Sequence, residues 1–187
     1  MENSSRVEIW VMIGSVANTP NSVAFIDESK RNGFILVASL VPIREVVSAR
    51  KQMEKLLLPG QSRLHFRKEN YSRKQEILRT VNQLPVHHVI VDANEVRNQR
   101  IARLRALETV ARFCIQEGIS QLIIELDESH LTLDRKTLGN LAFSELRYFH
   151  THARHDPGLW IADTAAWCYA HGGSWKHLLN NRSEIVV

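Results

Sequence analysis

A chain of 187 residues with 44% hydrophobic and 24% charged side chains suits one α/β domain with its own core, so residues 1–187 are expected to form a single domain centred on residues 23–172. A net charge of +4 permits a polyanionic partner without demanding one, while two cysteines without ligand spacing, Cys114 and Cys168, speak against a disulfide framework or thiolate zinc site and for a reducing, cytoplasmic setting. The amino-terminal apolar stretch is short and broken by Glu8, Gly14 and Asn18, so neither a secretory leader nor a membrane span is expected.

The first element is an apolar strand over residues 23–27 that stops at Asp27-Glu28-Ser29. A polar stretch ending in Asn32-Gly33 follows, then a β-rich run over residues 34–41, and the pair reads as an antiparallel hairpin. Pro42 is expected to open a helix bearing Val46, Val47, Met53, Leu56 and Leu57, closed by Pro59-Gly60. Residues 63–68 are ambiguous, with a third strand as one reading. Ser72 is the expected N-cap of a helix reaching Leu84, and residues 86–91 are β-branched enough for a strand. A long helix over residues 95–117 stops at Gly118, and residues 119–126 make the most apolar strand. A helix over residues 134–146 leads into a His-rich polar loop, residues 150–155. Asp156 as N-cap and Pro157 at the first position open the last helix, which ends at His171-Gly172-Gly173; the tail from Asn180 is expected to fray. This order implies a mixed sheet with helices on its faces, the strands near residues 86 and 119 running parallel.

Asp163 is the most informative residue. Its helical neighbours are Leu159, Trp160, Ala166 and Trp167, which place a carboxylate within an apolar face. Such a group must be paired, hydrogen-bonded or bound to a cation. A salt-bridged structural aspartate fits the same pattern. Asp27 and Asp127 each close an apolar strand, where ligand crevices of open α/β sheets lie, although plain turn chemistry explains those letters too. Glu125 shares a strand face with Asp127 and is the rival ligand. Several carboxylates brought together would call for a cation, and oxygen donors without thiolates select Mg²⁺ or Mn²⁺.

The motifs FIDES (25–29), GFILVASLV (33–41), LHF (64–66), IIELDES (123–129) and LWIADTAAW (159–167), in this order, resemble domain-of-unknown-function family 3800, over about residues 23–172. The resemblance implies a ribonuclease H-like α/β fold, a mixed five-stranded sheet made of an antiparallel hairpin plus parallel strands, flanked by helices. It puts Asp27 on the first-strand metal ligand, Asp127 on the later strand acid, Asp163 on the acid of the final helix and His65 on the Leu-His position. Glu28 matches the second residue of the first motif. Lys30 stands where the family usually has Gly, Trp160 where Gln is common and Thr164 where Leu is usual.

Other features carry less. The cations of residues 63–74 interleave with Phe66 and Tyr71, which suits a nucleic-acid groove as well as a solvated surface. The arginines at 97, 100, 103, 105 and 112 scatter round a helix and are expected to snorkel at its edges. His150, His152 and His155 lack the spacing of a zinc site, and no phosphate loop or nucleophile elbow occurs. The leading expectation is a metal-dependent nuclease or phosphodiesterase using Asp27, Asp127 and Asp163, with Glu125 as alternative ligand, His65 assisting and Glu28 nearby. The alternatives are a non-catalytic nucleic-acid- or protein-binding module and a purely structural domain. A homo-oligomer is compatible with each.

Overall fold

The computed structural model describes residues 21–141 and 146–187. The leader reading and the end of the helix expected over residues 134–146 lie outside them. β1 (Ser22–Ser29) and β2 (Ile35–Pro42) form the hairpin, running from Ser22 opposite Pro42 to Ser29 opposite Ile35. Pro42 is still extended, so a 3₁₀ turn at Ile43–Glu45 intervenes and α1 (Val46–Glu54) starts later than the proline suggests. The ambiguous segment is no strand but a 3₁₀ turn, Phe66–Lys68. α2 (Tyr71–Gln83) is capped by Asn70 rather than Ser72, the Asn70 side chain accepting from the Arg73 amide. β3 (His87–Asp92) follows. α3 (Gln99–Gln116) begins after Asn98, whose side chain accepts from two amides of the first turn.

The second half differs more from the sequence reading. β4 (Gln121–Glu125) and α4 (Leu131–Leu141) are as expected in type. The His-rich stretch begins in a strand, β5 (Arg147–Thr151), and ends in a 3₁₀ turn, Ala153–His155. Pro157 is the residue that flanks α5 (Gly158–His171), yet Asp156 still supplies an acceptor, 2.9 Å from the Gly158 amide nitrogen. The tail does not fray. α6 (Gly173–Leu178) leads into β6 (Arg182–Val186), which pairs in parallel with β3.

The described strands form one sheet in the order β5-β4-β1-β2-β3-β6, one strand more than the five expected. Only β2 runs against the others; β3 and β4 share a direction, as the helical crossovers require. Phe25, Val37, Ile90 and Ile123 face a core built with α1, α2 and α5, while Ala24, Ile26, Leu36 and Leu122 face α3 and α4. Period-2 alternation makes these two cores and decides which face receives each polar residue.

α5 lies unusually close to β1. A Cβ at Gly158 would overlap the Phe25 ring, and Ala162, Ala165 and Ala166 are buried against the sheet. Trp160, standing where the resembled family has Gln, is a core residue whose indole N–H donates to the Ala153 carbonyl; Thr164 donates to the Trp160 carbonyl.

His88 is buried on β3 with Nδ1 2.9 Å from Ser39 Oγ, and burial lowers its pKa to about 3. The folded chain keeps it neutral, whereas the unfolded chain protonates it below about pH 6.5. Stability must therefore fall as pH drops from 6.5 towards 3, by about 1 kcal/mol per pH unit from this group. Urea titrations at pH 7, 6 and 5 should show that slope, and His88→Gln should lack this component.

Candidate functional site

Asp27 sits inside β1, not at its end. Ile26 pairs with Ile124, so continuing that register sets Asp27 beside Glu125, the last residue of β4. Both belong to the face covered by α5, and the close approach at Gly158 lets α5 bring Asp163 towards them. The Asp27 side chain is buried, and its carboxyl pKa is raised well above the usual range. Desolvation is the largest cause, followed by the charges of Asp163 and Glu125, a hydrogen bond with Glu125, and the charge of Glu28. Its Oδ1 accepts from the Glu28 amide at 2.7 Å.

Asp163 Oδ2 accepts from the Phe66 amide at 2.9 Å and lies 3.7 Å from His65 Nδ1. The turn after the Leu-His segment thus orients the helix acid and leaves His65 half-buried beside it. Arg63 Nη1 is 3.2 Å from Glu125 Oε1. Asp27, Glu125, Asp163 and His65 are the sequence candidates that the fold gathers.

Asp127 and Glu28 have other partners. Asp127 lies in the loop after β4, where it accepts from Ser129 and stands 3.0 Å from His130 Nδ1 and 3.2 Å from Lys30 Nζ. Burial alone would raise its pKa, but these hydrogen bonds and the Lys30 charge hold it well below the usual carboxylate range. Lys30, which stands where the resembled family has Gly, is also 3.2 Å from Glu28. Glu28 points to the opposite sheet face from Asp27 and meets Arg103 Nη1 at 2.5 Å.

Arg103 was expected at a helix edge and is instead 1% exposed. It grips Asp134 with two bonds, Nε to Oδ1 at 2.8 Å and Nη2 to Oδ2 at 2.7 Å, while His150 Nε2 approaches Oδ2 at 3.0 Å. Burial disfavours the Asp134 charge, but Arg103 and His150 outweigh it and lower the pKa. Sequence reasoning missed this network. The available signal was Arg103 beside Ala106 and Leu107, with Asp134 beside Leu138 one helix later.

An open cleft of about 430 Å³ lies at this end of the sheet, lined by five carboxylates (Asp27, Glu28, Glu125, Asp127, Glu128), Leu126 and Lys30. Among the described residues, no three His, Cys, Asp or Glu side chains stand in a ligating arrangement about one point. The donor chemistry nonetheless suits a hard cation, because buried Asp27 lies beside Glu125 and Asp163 and their charges help to raise its pKa. No described helix is long and apolar enough to cross a membrane.

The strand order, the mixed pairing and the helices on both faces define a ribonuclease H-like fold. Ribonuclease HII, in the structure of its complex with PCNA from Archaeoglobus fulgidus, aligns with a TM-score of 0.52 and 13% identity over 80% of this chain and 73% of that one. A point mutant of Bst-RNase HIII aligns at 0.45 and 11% identity over 81% and 52%. No protein-family model and no curated protein sequence matches. The likeness is one of fold.

Removing Arg103 would take the guanidinium from buried Asp134 and half-buried Glu28. Arg103→Leu is expected to lower unfolding free energy by about 3–5 kcal/mol. Asp127→Asn, at a partly solvated pair, should cost less than about 1 kcal/mol. Urea unfolding of both variants checks the contrast.

Proposed function

We propose that this chain is a metal-dependent phosphodiesterase acting on nucleic acid, with Asp27, Glu125 and Asp163 as the residues that hold Mg²⁺ or Mn²⁺. The observation that carries the reading is the burial of Asp27 beside the two other acids. A bound divalent ion would supply charge stabilisation at a phosphoryl oxygen and an activated water. The chain's own groups do the rest. The Phe66 amide fixes the orientation of Asp163, and His65, within reach of solvent, is placed to hold or move a proton near Asp163. Arg103 holds Glu28 on the far face, which makes Glu28 a positioning residue in this reading. Asp127 carries Lys30 as its own counter-charge and stays at the cleft wall, outside the ligand set.

Cleavage of labelled DNA, RNA and hybrid substrates, with and without Mn²⁺, tests the reading. Asp27→Asn, Glu125→Gln and Asp163→Asn should each lower metal-stimulated cleavage by at least about 100-fold. Asp127→Asn should leave it within about tenfold. Full activity in both Asp27→Asn and Asp163→Asn overturns the proposal.

The second reading, a non-catalytic nucleic-acid-binding module, draws on Lys30, whose ammonium stands in the cleft where the resembled family has Gly. Calorimetry showing salt-sensitive nucleic-acid binding without Mn²⁺ binding would favour it.

A further inference from the structure

α5 runs outward from the carboxylates. Asp163, Trp167 and His171 follow one another at four-residue spacing, so they share a face with roughly 6 Å between successive positions. Trp167 is half-buried, and its ring lies 4.5 Å from that of exposed His171 at an interplanar angle of 32°. Phe66 and Trp175 pack against Trp167 at 5.2 and 5.6 Å, and Lys74 Nζ lies 5.1 Å from its ring centre. Phe66 and Trp175 are core residues beneath the array, and its exposed rings, Tyr71 and His171, lie at the rim. Tyr71, at the start of α2, is 67% exposed and meets Trp175 edge-on at 5.5 Å.

The charge around this array is positive. Arg67 and Lys68 are exposed, and neither side chain has a carboxylate partner among the described residues. The two nearby acids, Glu69 and Glu76, are both engaged by Arg73, at 3.7 and 2.6 Å. The array also joins the site directly, since Phe66 donates its amide to Asp163 and His65 precedes it.

Building on the nucleic-acid reading above, we infer that Trp167, His171 and Tyr71, with Arg67 and Lys68, form a stacking track that leads an unpaired nucleic-acid strand to the carboxylates. Flat rings with free faces bind bases that are themselves unstacked, and a duplex hides those faces. The cations would follow the phosphates. Phe149, 53% exposed on β5 and on the same sheet face as Glu125, is the competing platform.

Fluorescence anisotropy with labelled oligothymidylate and oligouridylate of about 12 nucleotides, and with a duplex of equal length, tests the track in an Asp27→Asn background. Tyr71→Ala and His171→Ala alter exposed side chains, and each should weaken single-strand binding about fivefold or more while sparing the duplex. Quenching of tryptophan fluorescence by the oligonucleotide should accompany binding. Unchanged affinity in both variants, no single-strand binding at all, or loss only in Phe149→Ala overturns the inference. The two readings fail separately. Metal-stimulated cleavage of a duplex without single-strand binding sinks the track alone. Track-dependent binding without cleavage of any substrate sinks the phosphodiesterase alone.

Discussion

Burying the Asp27 carboxyl beside two other acids costs several kcal/mol unless it keeps a proton or meets a cation, and much of the fold serves that arrangement. The parallel register of β1 and β4 sets Glu125 next to it. The missing side chain at Gly158 lets α5 lie close enough to bring Asp163 in, and the Phe66 amide fixes that acid's orientation. Alternation along β1 then separates two kinds of charge. Asp27 goes to the α5 face, where acids gather, while Glu28 goes to the α3 face, where Arg103 answers it. One residue of register shift would exchange the two and leave both in the wrong company.

How far the sequence could be read follows from these same contacts. Asp163 was legible because its neighbours at three- and four-residue spacing are apolar, a pattern that survives without tertiary information. Asp27 was legible from its strand and from the motif it shares with the resembled family. Which of Glu125 and Asp127 lies beside Asp27 was not, because both share a strand face and only the end of β4 separates them. Strand ends are set by pairing with a neighbour, and here β4 ends at Glu125, leaving Asp127 to the loop and to Lys30.

The elements that escaped notice share a cause. β5 reads as polar because His150 bonds to Asp134 on one face and Phe149 stays exposed on the other. β6 is a short edge strand with a mostly polar sequence, held by β3 and by the hydrogen bond from Tyr169 to Glu184. Arg103 looked like one of several scattered cations. Its burial depends on Asp134, which no pattern within α3 can reveal. Local periodicity finds residues that face a core; it does not find polar residues whose partners lie on another element.

The parallel seam between β1 and β4 also bears on how the chain assembles. The hairpin of β1 and β2 closes through a short turn, whereas β1 meets β4 across two intervening strands and three α-helices. The acids therefore come together at the most non-local contact in the sheet. Until it closes, Asp27 is solvated; once it closes, the carboxyl is buried beside Glu125 and Asp163, and desolvation and their charges raise its pKa well above the usual range. Closing this seam thus raises the proton affinity of the cleft, so that the completion of the fold is linked to pH through Asp27.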